Sequence, residues 1–178
     1  MSAAPDYLAP VSGWRVWRID ESGPEARLAS VVRPAAWPAG QAIVAACPWV
    51  GFAHPPPGTG CRCGIHATRD AEEAAFHAEV PSRRRDPLAV GLVALWGEVV
   101  EAERGWRAAR AYPETLYAVL RDESERERFA GLAWDLTAYG VPAGVLDCTR
   151  RGVLEALLAT APAARRPRPV PEPVPLAA

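Results

Sequence analysis

Apolar and polar side chains alternate through WRVWRI at residues 14–19, so that Trp14, Val16 and Arg18 face one way and Arg15, Trp17 and Ile19 the other. Such alternation predicts a strand. The ESGPE turn at 21–25 carries the Gly and Pro needed to reverse the chain into RLASVV at 27–32, which predicts a hairpin. A third short strand, QAIVAAC at 41–47, delivers Cys47 at its end. The longest apolar run, LAVGLVALWGEVVEAE at 88–103, is rich in valine and interrupted by Gly91 and Gly97, which predicts one bent strand or a hairpin rather than a helix. GWRAARAYP at 105–113 is expected to return antiparallel to it.

Helical spacing takes over elsewhere. DAEEAAFHAEV at 70–80 has Asp70 placed to cap and Glu73 three residues on, as in a capping box. Ser124 and Glu127 repeat that pattern ahead of Phe129, Leu132, Ala133, Leu136 and Tyr139, and Gly140 is a natural stop. VPAGVLD at 141–147 reads as a short strand, and TRRGVLEALLATA at 149–161 sets Val153, Leu154, Leu157 and Leu158 on one side of a last helix. The pattern as a whole predicts an α+β protein: a curved, mostly antiparallel sheet or small β-barrel with a zinc loop, followed by two or three helices. The expected division is a leader at 1–11, a β-rich domain with the metal loop at 12–117, a helical part packed on it at 118–161, and a disordered Pro-rich tail at 162–178.

Composition narrows the function classes. A chain of 178 residues buries a core of its own, so a metal acts as a local clamp rather than as a substitute for one. Net charge of -1 and a pI near 6.3 argue against a chain built for phosphate backbones, leaving nucleic acid an unsupported partner. Arg83, Arg84 and Arg85, like Arg165, Arg166 and Arg168, sit beside prolines and read as solvated loop and tail. No apolar run reaches the roughly 18 residues of a membrane span, and MSAAPDYLAP has neither a basic start nor an apolar core. A cytoplasmic protein with reduced thiols and no membrane is the expectation.

The chemistry concentrates in CPWVGFAHPPPGTGCRCGIH at 47–66, where Cys47, His54, Cys61 and Cys63 offer three thiols and an imidazole around a Pro/Gly loop. Soft donors in that number suit a tetrahedral zinc ion with no open position, and His66 is a reserve ligand. An iron–sulfur centre is the alternative occupant. The spacing lacks the two-residue gap of the commonest zinc knuckles, so small buried thiols beside a hydrogen-bonded histidine are the bland reading. His77 and Glu79 form an H-x-E as in zinc deaminases, but the downstream P-C-x-x-C of that pattern is missing. No G-x-S-x-G, Walker or dinucleotide glycine pattern is present.

Seven tryptophans form the second signal. Trp37, Trp49, Trp96 and Trp106 flank the expected sheet and metal loop, and with Arg107, Arg110 and Tyr112 they suggest an aromatic-lined hollow for a small ligand or partner, against the plain alternative of core packing. At HPPPGTGCRCGIHA (54–67) and LWGEVVEAERGWRAARAYPETLY (95–117) the chain resembles a family of small uncharacterised bacterial proteins, over roughly residues 12 to 117. That resemblance carries no activity with it. Three readings follow: a non-catalytic binding or adaptor module with a structural zinc site, a metal-dependent enzyme with an open site near His54 or Glu98, and a nucleic-acid or modified-base reader using Arg83 to Arg85.

Overall fold

A computed structural model describes residues 9–32, 35–48, 54–80 and 86–160. Trp49, Arg83 to Arg85 and the 162–178 tail lie outside the described residues. The alternating segment forms β1 (Val11–Asp20), which turns back into β2 (Arg27–Ser30) with Trp17 opposite Ser30. Short strands β3 (Ala36–Trp37) and β4 (Ile43–Val44) precede the cysteine-rich loop, and β5 (Ile65–Thr68) follows it. Helix α1 (Ala71–Glu79) begins where Asp70 accepts from the Glu73 N–H at 3.0 Å, as its capping pattern predicts.

The valine-rich run is one strand, β6 (Leu88–Ala102), bent by a register shift between Trp96 and Val99 where Gly97 adopts φ +74°. It pairs antiparallel with β7 (Gly105–Pro113). β8 (Leu116–Leu120) continues along the same edge of β6, opposite Ala89 and Val90, and is itself paired in parallel with β9 (Ala143–Asp147). Between those two strands runs α2 (Arg126–Leu136), and α3 (Val153–Thr160) closes the described chain. Residues 116–147 therefore contribute two strands to the same sheet as the N-terminal part.

The result is an α+β protein whose single sheet is mostly antiparallel, ordered β3-β2-β1-β5-β7-β6-β8-β9 with β4 added on β7. Because β1 also pairs with β6, from Val11 opposite Leu95 to Arg18 opposite Leu88, the strands β1, β5, β7 and β6 form a ring of pairings. β3 and β9 remain open edges, so the sheet as a whole does not close.

Alternation divides the core. Trp17, Ile19, Leu28, Trp37 and Val93 pack with Phe129, Leu132 and Leu136 of α2, whereas Trp14, Val16, Val90 and Val119 pack with the small residues of α1 and with Val153 and Leu157 of α3. Tyr139 ties the first core to the sheet edge: its hydroxyl accepts from the Leu28 N–H (2.9 Å) and donates to the Trp37 carbonyl (2.6 Å). The second capping box does not form as expected. Asp122 takes both the Ser124 N–H (2.9 Å) and the Ser124 hydroxyl (2.7 Å), so the chain enters α2 through a 3-10 turn and Ser124 caps nothing. No helix among the described residues is long and apolar enough to cross a membrane.

Candidate metal centre and the adjoining hollow

The cysteine-rich loop is anchored at both ends on β7. On the entry side β4 pairs with Ala111 and Arg110, and the Ala45 N–H extends that ladder to the Ala109 carbonyl at 2.8 Å, two residues before Cys47. On the exit side Ile65 pairs with Ala108 and His66 with Arg107. Gly64, at φ +115°, makes the turn into β5, where a Cβ would stand 3.0 Å from the Cβ of Pro57 and 3.2 Å from that of Arg107. Gly58 has a different reason: any side chain there would meet the His54 ring at 2.5 Å. The loop thus folds back on its own histidine.

This closure brings Cys47, His54, Cys61 and Cys63 together, with all four donor atoms within 4.8 Å of one another. Cys47 Sγ lies 3.4 Å from His54 Nε2 and 3.9 Å from Cys61 Sγ, and Cys63 Sγ lies 3.9 Å from His54 Nε2. A zinc ion bound at its usual lengths would set sulfur–sulfur edges of about 3.8 Å and sulfur–nitrogen edges of about 3.5 Å in a tetrahedron. The sulfurs are too far apart for a disulfide, and all three cysteines are free thiols. The donors therefore have the spacing to hold one metal ion, through three sulfurs and one nitrogen.

Supporting groups orient the donors. His54 Nδ1 sits 2.9 Å from the Pro55 carbonyl, which leaves Nε2 to face the sulfurs as an acceptor. The Gly58 N–H donates to Cys63 Sγ at 3.3 Å. Beneath the loop, Arg107 Nη1 donates to the carbonyls of Gly58 (3.3 Å), Cys63 (3.0 Å) and Cys61, so a single guanidinium from β7 holds the loop backbone. The same surroundings act on the thiols before any metal binds. The Cys63 backbone N–H, followed by His54, pulls the Cys61 thiol down to about 7, while burial pushes Cys63 up.

Beside this loop lies an open hollow of about 950 Å³. It occupies the place where β1 changes neighbours: Trp14 is paired with Thr68 of β5, but by Trp17 the partner is Ser30 of β2. Arg15 spans the gap, donating from Nη1 to the His66 carbonyl and from Nη2 to Ser30 Oγ at 3.3 Å. The cysteine-rich loop lines it through Cys61, Cys63 and Gly64, and α1 lines it through Glu73, Ala74 and His77.

The residues expected to line an aromatic pocket are mostly not brought together. Trp106 and Arg107 do border the hollow, Trp106 with the Arg69 guanidinium 4.7 Å over its ring. Trp37 instead is core, 2 % exposed, packed edge-on against Trp17 at 5.5 Å with its indole N–H donating to Ser30 Oγ. Tyr112 spends its hydroxyl on the Tyr139 carbonyl and the Gly40 N–H, both at 2.8 Å. Trp96 sits on β6 opposite Arg110, outside the lining. The reserve ligand His66 faces away from the thiols, with Nε2 3.0 Å from the Arg62 carbonyl, because β5 buries Ile65 and Ala67 on its other face. Glu79 of the H-x-E is directed to the start of α3, accepting from the Val153 N–H at 3.3 Å.

Trp14, Arg15 and Arg62 border the hollow without having been singled out as its lining. The alternation of WRVWRI identifies the faces of β1, but nothing local signals the exchange of β5 for β2 that opens its edge. No family model, curated protein or solved structure matches the chain.

Proposed function

We propose that the protein is a non-catalytic binding module whose ligand hollow is shaped by a structural zinc ion held by Cys47, His54, Cys61 and Cys63. The observation that carries this reading is the set of donor separations, 3.4 Å and 3.9 Å between sulfur and nitrogen and 3.9 Å between sulfurs, with all four donors within 4.8 Å, which is close to the edges of a four-ligand tetrahedron. Four protein donors leave no position for a water to be activated, which favours a fold-stabilising over a hydrolytic role. His54 stands among the ligands rather than beside them as a base. A multi-iron cluster distributes its ligands over separate irons, and a donor set spanning at most 4.8 Å suits a single ion better. Arg107 supports the choice of three thiolates, since their charge exceeds that of a divalent ion and the guanidinium under the loop offsets the excess.

The test is elemental analysis of the purified protein together with X-ray absorption at the metal edge. The expected result is one zinc per chain with three sulfurs and one nitrogen and no oxygen, lost in Cys61→Ser. An oxygen ligand in the first coordination sphere would overturn the non-catalytic reading in favour of an open metal site, and a coloured, iron-containing protein would replace the metal.

A further inference from the structure

The hollow is apolar in its body and cationic at its margins. Trp14, Val31, Val32 and Trp106 supply apolar wall, and Val32 is 77 % exposed at its border. Among the described residues four arginines line it, Arg15, Arg62, Arg104 and Arg107, against a single carboxylate, Glu73. That carboxylate is already shared between Arg104 and His77, each at 3.4 Å. Arg107 is committed to the loop carbonyls.

Arg15 is the anomaly. Its guanidinium has the His66 carbonyl, the Ser30 hydroxyl at 3.3 Å and the face of Trp37 at 4.9 Å for company, all of them neutral, and its Nε is buried with no hydrogen-bond partner. Burial alone pulls it down to about 10, with no opposing carboxylate to hold it up. A desolvated cation is costly unless an anion or several strong acceptors compensate it. Here the compensating charge is not in the described chain, and the cation borders a hollow.

We infer that this hollow binds a small organic anion, a carboxylate or phosphate head on an apolar body, with Arg15 and Arg62 taking the head group and Trp14, Val31 and Val32 the body. This rests on the binding-module reading above and names its ligand class. The volume of about 950 Å³ lies near the upper end of the roughly 300–1,000 Å³ typical of small-molecule sites. A polyanion would call for an extended basic track instead, which a net charge of -1 does not favour. Zinc enters only through the wall, because Cys61, Cys63 and Gly64 define one side of the hollow.

The experiment is calorimetry on the zinc-loaded full chain with three probes of one shape: 1-naphthoate, 1-naphthyl phosphate and neutral 1-naphthol. At least one anion should bind with unit stoichiometry and about tenfold or more tighter than naphthol, as charge-assisted bonds to a guanidinium require. The tighter of the two anions names the head group. Arg15→Gln should abolish that preference while leaving naphthol unchanged, and Arg15→Lys should keep part of it. Since Arg15 also bridges β2 and β5, Arg62→Gln gives an independent measure from an exposed position, with an expected loss of about threefold for the anion alone. Equal binding of anions and naphthol, or an anion preference untouched in both glutamine variants, would overturn the inference. Zinc measured on the same samples separates the two ideas: a zinc-replete protein without anion preference sinks this inference and spares the metal centre, whereas a protein purified without zinc sinks the metal reading whatever the probes do.

Discussion

The four-strand ring and the metal loop share β5 yet are held by different forces. In the ring, the first half of β6 is paired on both sides, with β1 on one and β8 and β7 on the other, and Val93 and Leu95 of β6 and Ala108 and Ala111 of β7 are fully buried. Among the described residues of the loop, the backbone bonds are few: the Ala45 N–H to Ala109, the Cys61 N–H to Gly58, and the carbonyls gathered by Arg107. Cys63 is its only buried ligand. The ring is therefore stable by burial and pairing, whereas on the reading proposed above the loop owes its order to a few polar atoms that one ion would tie together. Removing the ion should dismantle the second without the first.

The largest expected effect falls on the ring. A Cβ at Gly105 would stand 2.0 Å from the Ala67 carbonyl oxygen, and the residue holds φ +152°. Gly105→Ala should cost about 3 to 5 kcal/mol, read as a lowered denaturation midpoint, because both backbone strain and a clash between main chains must be relieved. Gly60→Ala in the loop meets nothing within 4 Å and should stay within about 0.5 kcal/mol. Similar costs for the two would mean that ring and loop are not differently constrained.

Chelation comes next. Stripping an ion present at a thousandfold excess over its dissociation constant should lower stability by about 4 kcal/mol. Hydrogen exchange should then show amides of residues 58–64 losing protection while those of β1, β6 and β7 keep theirs. Global loss of protection would break the comparison, making the loop a condition of the fold rather than an attachment to it.

Tyr139→Phe tests the β2–β3 edge of the sheet, beyond the ring. It strands the buried Leu28 N–H and removes the bond to the Trp37 carbonyl, at an expected cost of about 1 to 3 kcal/mol in urea unfolding. With no shared partner, that cost and the cost of chelation should add to within about 0.5 kcal/mol. A larger departure from additivity would reveal coupling between the α2 latch and the metal loop.

What the sequence disclosed follows the same line. The faces of β1, the bent course of β6, the α1 cap and the apolar side of α2 rest on contacts a few residues long, and each was legible. So was the gathering of Cys47, His54, Cys61 and Cys63 into one cluster with the spacing to hold a metal ion, since the four are close in sequence and share one chemistry. The hollow was not. Its position depends on β1 passing from β5 to β2, a pairing between distant segments, and on α1 and the loop lining the same space. Tryptophan was a poor guide for the same reason: Trp37 and Trp106 are both buried in one core, but only Trp106 also borders the cavity, whereas Trp37 packs against Trp17.

The smallest effect concerns charge at the sheet edge, remote from both regions. Arg126 bridges Glu123 and Asp147, donating from Nη2 to Asp147 Oδ2 at 2.7 Å, and Thr149 adds its hydroxyl at 2.7 Å and its N–H at 3.0 Å. The Arg126 guanidinium, then Thr149, hold the Asp147 carboxyl well below the usual carboxylate range. A carboxyl depressed in the folded state contributes stability that is present above its unfolded value, near about pH 4, and is lost as pH falls through the folded value. Asp147→Asn should accordingly flatten the acid limb of the stability curve below about pH 4 and change the neutral plateau only slightly, the pair being exposed and screened. Urea midpoints compared between pH 6 and pH 3 would register it, and in the chelated protein the same flattening should persist. If it vanished with the metal, the acid limb would belong to the loop, and the division of the molecule into an ion-independent sheet and an ion-dependent knot would have to be redrawn to include β9.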